Sequence, residues 1–535
     1  MKTNLDALIV GAGPVGLSMA ASLSNQRLRF RIIDSAADRV DESRAIGIQA
    51  RTMEIFEMSG IVDEFLALGH QLHGITIYGE NGSKVGHLNF DKIPSHYPFL
   101  LALAQSETER ILGDNLRRYN VEIERRTTLI SFEQSEVNVC AQVALPDGEQ
   151  QEVHADWLLG CDGAHSRVRE VLNPQFAGKT YDLRFLLGDV RVESSLSEDE
   201  AHIFGRAEGL LGFFPLGKGL YRLVADDPPE RFNSEIPPTL EEWQELADAR
   251  SGVRMRLADL GWSSYFRVKS RMVERLRRGR IFVLGDAAHI HSPALAQGMN
   301  TGIQDAWNLG WKLALVQRSL AKPDLLDSFE EERMPVEHGV LMMTDLTQNM
   351  IAARRRANRV LRDALLPLLS GIKAFQSKAA RTISETGIEY CNSRIVEDHR
   401  LPGGPHAGDR APSAIVYANK EKLSTTALFG RNHVLLALAG SNGEPAYYKA
   451  IKQTFELVRE RYRNLIKPYL ILRNEEPSVQ NGIDLLIDLE GQIAERYSDA
   501  AALYLVRPDG YVAFRSHAAS HHLLEAYLGK HFVVA

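Results

Sequence analysis

"LDALIVGAGPVGLSMAASLSNQRLRFRIIDSA", residues 5–36, decides the fold. A short apolar run from Leu5 to Val10 reads as a strand. Gly11, Gly13 and Gly16 follow in GxGxxG spacing, then a helix, then a second strand ending at Asp34. Gly11 permits the tight turn, Gly13 lets a pyrophosphate approach the backbone, and Gly16 lets the helix pack closely on the strand. Pro14 and Val15 complete the turn, and the helix that starts there offers free N–H groups and about half a positive charge to the pyrophosphate. Asp34, 18 residues beyond Gly16, is placed to accept hydrogen bonds from a ribose diol. An acid there disfavours a 2′-phosphate, so the nucleotide expected is FAD or NAD rather than NADP.

The rest of the composition is that of a soluble protein. The chain has 535 residues, more than one hydrophobic core supports, so two or three domains are expected. Hydrophobic residues make up 44% and charged residues 24%, and the formal net charge of −7 gives no case for nucleic acid or an anionic membrane as partner. Asp6 interrupts the only signal-like stretch, and no run of 18 apolar residues occurs, so no membrane span is expected. Cys140, Cys161 and Cys391 are far apart and form no CxxC, which argues against a disulfide framework or a structural zinc site and for a cytoplasmic location.

Two later stretches extend the first. "ADWLLGCDGAHSRVRE" (155–170) reads as a buried strand ending in Asp162-Gly163 and turning into a helix. "RRGRIFVLGDAAHIHSPALAQGMNTGIQDAWNLGWKLAL" reads as a strand at 281–284, then Gly285-Asp286, a loop, and a helix from Gly298. With the N-terminal turn, and in this order, these motifs resemble the FAD-dependent aromatic hydroxylases, the class A flavoprotein monooxygenases. The resemblance implies that the first motif holds the ADP part of FAD. It places Asp162 near the flavin and the path of the pyridine nucleotide, and Asp286 on the ribityl chain. It also covers "SRAIGIQARTMEIFEMSGI" (43–61), where Arg44 would stand beside the flavin, and "LAQSETERIL" (103–112), where Gln105 would touch it. In "RRTTLISFEQ" the backbone of Leu129 would meet the adenine, and Pro293 joins the implied cofactor contacts. Glycines common in the family are replaced here by Ala294-Leu295-Ala296.

The amides of Gly298, Met299 and Asn300 would then face the flavin N1–C2=O edge and stabilise the charge of reduced flavin. His289 and His291, two residues apart, are expected to point in opposite directions. With no HExxH motif nearby they are not expected to bind metal. Packing or a hydrogen bond to the loop is expected of them, and no catalytic base is assigned.

The fold expected is α/β. A Rossmann-like FAD-binding domain (1–180 and 271–345) is interleaved with an antiparallel substrate-binding sheet (74–100 and 181–270). His202, Phe204, Phe213, Phe214 and Tyr221 are read either as substrate-pocket residues or as sheet core. Residues 346–399 read as helical, with Arg354-Arg355-Arg356 on a solvated face. Residues 400–535 resemble the thioredoxin-like C-terminal domain of the larger phenol and polyketide hydroxylases. Without a CxxC, packing or homodimer contacts remain as its role.

The function implied is a monooxygenase. FAD is reduced by NAD(P)H, which visits transiently. The C4a-hydroperoxide formed with O2 then hydroxylates a phenolic or polyketide-like small molecule. A flavin dehydrogenase that does not use O2, or a non-catalytic FAD-containing binding protein, are the alternatives.

Overall fold

The computed structural model describes residues 5–39, 45–228, 236–291, 297–351, 372–440, 445–473, 484–518 and 520–534. Its first sheet is built around Leu5–Val10, which lies parallel to Gln150–Gly160 on one side and to Phe30–Ile33 on the other, with Ala7 opposite both Trp157 and Phe30. Ile281–Val283 extends the sheet in parallel beyond Gln150–Gly160, and Ile123–Glu124 extends it beyond Phe30–Ile33. Ala7, Leu8 and Ile9 are completely buried, as a parallel strand covered on both faces requires. Asp6 is tolerated because its carboxylate accepts from the Arg29 amide at 2.7 Å and from Gln317 Nε2 at 3.2 Å. Helices Pro14–Asn25 and Gly298–Gln317 pack together against this sheet.

The second sheet has the strand order His289–Ile290, Arg256–Val273, Phe176–Glu193, Leu220–Asp226, Gly209–Gly217, Glu200–Arg206, Gly74–Tyr78, Lys84–Asn89. All neighbours are antiparallel except Gly74–Tyr78, which runs parallel to Glu200–Arg206. Helix Leu240–Ser251 covers one face with a fully buried Trp243. Because His289–Ile290 follows directly on the Ile281–Val283 strand, the loop between them joins the two sheets.

In the third sheet His433–Leu438 runs parallel to Ile466–Leu472, with helix Pro445–Arg461 between them in the chain. On its other side lies the antiparallel hairpin Ala502–Val506 and Val512–His517, followed by helix His521–His531. This mixed α/β arrangement agrees with the C-terminal domain expected. Glu397–Asp398 already pairs with Val512–His517. Of the stretch read as helical, 346–399, helix Asp327–Ile351 begins earlier and Lys373–Ile383 follows, but 384–396 turns without a helix and Glu397–Asp398 is a strand, while Arg354-Arg355-Arg356 lie outside the described residues. Among the described residues no helix is long and apolar enough to cross a membrane.

A chain of buried charges joins the third sheet to the first. Arg507 donates to both Glu332 oxygens at 2.6 and 2.9 Å, and Lys312 Nζ donates to the same carboxylate at 2.7 Å. Arg507 also donates through Nε to Asp509 at 2.9 Å, and the Asp509 carbonyl accepts from Arg51. Arg51 and Arg410 then share Glu54, at 2.9 and 2.7 Å. Burial alone would neutralise Glu332, but Arg507 and Lys312 hold its carboxyl well below the usual range. Burial brings Lys312 down to about 8 against the pull of Glu332. Beside this network the His433 ring packs edge-on against Trp311 and Phe532, with centroids 5.1 Å from each. Burial, helped by the charge of Arg507, lowers His433 to about 3.

Arg507→Met leaves buried Glu332 with Lys312 as its one cation among the described residues and takes the cation from Asp509, and removing one partner of a buried pair costs about 3–5 kcal/mol. The guanidinium chloride midpoint should fall accordingly, and an unchanged midpoint would show that the pair is not part of the fold's stability. His433 titrates near 6.5 when unfolded and far lower when folded, so its contribution is complete above that pH and drains away as pH falls toward 3. Between neutral pH and about pH 5 the wild type should lose roughly 2 kcal/mol more than His433→Leu. An equal loss in both proteins would show that the ring carries no such linkage.

Candidate active site

Strands Leu5–Val10, Phe30–Ile33, Gln150–Gly160 and Ile281–Val283 run parallel, so their carboxyl ends share one edge of the sheet. Crevices outside such ends are where open α/β sheets bind ligands. A cavity of about 1270 Å³ opens there, bounded by the four following loops and, opposite, by the second sheet.

At one end lie Gly11, Gly13, Pro14 and Val15. Gly11 has a φ of +101°, and a Cβ there would sit 2.4 Å from the Cys161 carbonyl oxygen. Gly16 does not reach the cavity. It lies beneath the turn, where a Cβ would fall 1.9 Å from the Gly11 oxygen. Gly13 differs, because a Cβ built on it meets no protein atom within 4 Å. Helix Pro14–Asn25 has no side-chain cap and no acid in its first turn, so its free amides face the cavity uncompensated. The Asp34 carboxylate accepts from the amides of Ala12 (2.5 Å) and Ala36 (2.7 Å), with Arg125 at 3.7 Å, so it shapes the turn as well as lining the cavity. Gln105 and Leu129 line the same end, and Gln105 is steadied by Glu109 at 2.9 Å. Arg44 and Pro293, with the Ala294–Ala296 departure, lie outside the described residues.

Asp162, Asp286, Gly298 and Met299 line the middle of the cavity. Much of Asp162 is committed to the fold: its carboxylate accepts from Ser166 Oγ at 2.5 Å and from the Val168 amide at 3.0 Å, capping the short helix Arg167–Leu172. Arg169 in that helix donates to the carbonyls of Ala164, Asp286 and Ala287, tying the Asp162 and Asp286 loops together. Gly285 is buried behind Asp286, which is exposed to the cavity. Helix Gly298–Gln317 also starts without a side-chain cap or an early acid. Asn300 faces away from the cavity, accepting from the Gln49 amide and donating to the Gly47 carbonyl, both at 2.9 Å.

Behind that helix start lies a group that sequence reasoning missed. Asp305, completely buried, accepts from His289 Nε2 at 2.8 Å, Arg333 Nε at 2.7 Å and the Gly285 amide at 3.1 Å. Burial opposes its charge, but Arg333 and His289 outweigh burial and hold the carboxyl below the usual range. His289 therefore bonds a carboxylate rather than loop backbone. The expectation that His289 and His291 diverge also fails: their rings stack at 5.9 Å, 2° from parallel, because residues two apart on a strand share a face. His291 borders the cavity and His289 does not. His289, Asp305 and Glu337 together have the donor atoms of a metal site, yet Arg333 already supplies Asp305 with a cation.

The second sheet closes the other end, and its alternation corrects the substrate reading. Ile203, Gly212, Phe214, Arg222 and Val224 face the cavity. Phe204, Phe213 and Tyr221 point the opposite way into a core with Tyr78 and Trp243, and His202, also buried, is bonded to Tyr78 and the Ser197 carbonyl. Of the five residues proposed from sequence, Phe214 alone has the parity that reaches the cavity. Phe185, Leu187, Tyr265 and Phe266 complete this wall, with Arg184 over the Tyr265 ring at 4.5 Å and paired with buried Asp227. Alternating apolar residues mark the strands but not which face looks inward.

Two uncapped helix starts, an open Gly13 and a single cavity running to an aromatic wall suit FAD: a diphosphate at one helix start and the electronegative flavin edge at the other. The volume exceeds the roughly 300–1,000 Å³ usual for one small ligand, leaving room for a second. Comparison with known proteins agrees. Residues 4–344 match the FAD binding domain family, and residues 404–533 match the aromatic-ring hydroxylase C-terminal family. Pentachlorophenol 4-monooxygenase of Sphingobium chlorophenolicum is 33% identical over 95% of this chain and 93% of its own length. The 6-methylpretetramide 4-monooxygenase of Streptomyces rimosus is 31% identical over 95% and 90%. The solved structure of anhydrotetracycline hydroxylase from Streptomyces rimosus superposes with a TM-score of 0.78 at 27% identity, covering 100% of both chains. The chain therefore belongs to the FAD-dependent aromatic-ring hydroxylases and is a flavoprotein monooxygenase that uses FAD, with NAD(P)H as electron donor.

Proposed function

We propose that this monooxygenase hydroxylates a phenolic or polyketide-like aromatic molecule held between the Gly298 helix start and the face of the second sheet. The observation that carries this reading is the continuity of the cavity from the Gly11–Val15 turn to the wall of Phe185, Phe214, Tyr265 and Phe266. FAD, when bound, passes the electrons of NAD(P)H to O2 and so makes one oxygen atom available to the ring.

The chain's own part is to bind, orient and shield. Gly11, Gly13, Pro14 and Val15 would receive the diphosphate, with Gly16 supporting the turn from below. Asp34 would receive the ribose, and Gln105 and Leu129 the adenosine side. Asp286 would accept from the ribityl hydroxyls, its loop held by Arg169, while Asp162 would lie near the flavin and the path of NAD(P)H, and Arg44, beside the flavin, and Pro293 would join the cofactor contacts. The amides of Gly298 and Met299, with Asn300 fixing the turn, would meet the flavin edge. The aromatic wall excludes water, and its rings offer stacking faces to a flat substrate.

We propose a cytoplasmic location, in line with three cysteines far apart in the chain and without a CxxC pair, and a homodimer, to be checked by light scattering.

The reading is tested by screening simple phenols and fused-ring polyketides for stimulated NAD(P)H oxidation, then running a responding compound under ¹⁸O₂. One labelled oxygen in the product is expected. Oxidation of NAD(P)H with no labelled product from any responding compound would count against it. The two glycines give a second test. Gly13→Ala should leave the stability of the FAD-free chain near wild type while weakening FAD binding, because the added methyl meets only ligand space. Gly16→Ala should destabilise the chain itself, since its methyl collides with the Gly11 carbonyl. Equal losses of stability in both would contradict this placement.

A further inference from the structure

Glu337, on helix Asp327–Ile351, has no role in the cavity. Its carboxyl is completely buried beside the Asp305 carboxylate, and among the described residues neither oxygen accepts a hydrogen bond from a donor. Oε1 lies 3.5 Å from His289 Nε2, whose hydrogen bond goes instead to Asp305. An ionised carboxylate with both oxygens unbonded in the interior bears its full desolvation cost, so the protonated form is favoured there.

The surrounding charges make that proton matter. From the loop before the helix, His289, His291 and Asp286 face the group. Helix Gly298–Gln317 contributes Asp305, and Glu337's own helix contributes Arg333. Next to these, Glu385 accepts from Thr301 Oγ1 and Gln304 Nε2, Tyr390 accepts from Arg333, and Arg169 holds the carbonyls of the loop. Burial first, then the negative charge of Asp305, raises Glu337 far above the ordinary carboxyl range, although His289 and Arg333 pull it down. Burial works against a charged His289, but the nearby carboxylates reverse this and lift the ring above its ordinary value. With Glu337 protonated, His289 and Arg333 face Asp305 alone and leave one net positive charge behind the Gly298 turn. With Glu337 ionised, the four charges sum to zero.

We propose that Glu337 is a positioning residue for charge: its proton sets the positive potential that the His289–Asp305–Arg333 group adds to the Gly298 helix start, and so sets how readily the FAD bound there accepts electrons. The proposal rests on FAD occupying that end of the cavity. Loss of the proton at alkaline pH removes one positive charge from behind the amides, and reduction of the cofactor favours its return. Glu337 itself touches neither cofactor nor substrate.

The test is the midpoint potential of the FAD-loaded enzyme from mildly acidic to alkaline pH, for the wild type, Glu337→Gln and Glu385→Gln. The wild type and Glu385→Gln should bend downward on the alkaline side by an extra tenfold in the reduction equilibrium, ~30 mV for a two-electron couple. Glu337→Gln should show no bend. Superimposable curves for the wild type and Glu337→Gln, or a bend lost only in Glu385→Gln, would overturn the assignment. The wild type alone gives a second readout: the infrared difference between oxidised and reduced enzyme at alkaline pH should contain the C=O stretch of a newly protonated carboxyl. Its absence would also overturn the proposal. A chain that purifies without flavin and takes none up would instead sink the reading of the cavity, and this inference with it.

Discussion

The Asp305 carboxylate is the point on which the arrangement of the site depends. A charge taken out of water is tolerable only when its lone pairs are filled, and Asp305 fills them from three separate parts of the chain. Gly285 belongs to the loop that presents Asp286, His289 to the strand that joins the two sheets, and Arg333 to the helix that leads toward the third. Arg333 also donates to the Thr301 carbonyl and the Tyr390 hydroxyl, which sets the first turns of helix Gly298–Gln317 against its surroundings. A shift of that helix would leave a buried charge unpaired. Its amides are thereby held in place before any ligand arrives, which is what preorganised electrostatic stabilisation needs.

The same helix carries the second constraint. Toward its middle and end, Asn308, Trp311 and Lys312 enter the contact with the third sheet, where Arg507, Glu332 and Asp509 are sealed from solvent. Such networks are weak evidence of stability, because apolar packing of similar shape often does as well. What a network of paired charges does impose is a single docking geometry, since any other leaves charges unmatched. The C-terminal unit, which has no CxxC, thus meets helix Gly298–Gln317 at Asn308, Trp311 and Lys312, residues that do not line the cavity.

Much of this was legible in the sequence. GxGxxG between strand and helix, with Asp34 after the second strand, specifies a nucleotide turn because only glycine fits its positive φ and its close packing. The strand ending at Asp162 and the helix starting at Gly298 could also be read from local pattern, since turn chemistry and hydrophobic runs are properties of neighbouring residues. The opposing faces of a strand could not be ranked in this way. Leu211 and Phe213 are as apolar as Phe214, and only the helix carrying Trp243, laid over one side, makes the other side the cavity wall.

By itself, then, the sequence determined the kind of ligand the first sheet is built for and the family to which the chain belongs, because those depend on residues close together in the chain. Tertiary structure alone decided which aromatic rings face the cavity and that His289 serves a carboxylate rather than a backbone loop. It also decided that Glu337 lies buried beside Asp305 behind the helix start, with no donor to its oxygens among the described residues. These outcomes depend on pairings such as His289 with Asp305 and Arg507 with Glu332, across 16 and 175 residues of chain. The cost of burying a charge is evaluated only when the distant partner arrives, so no local pattern of residues encodes it.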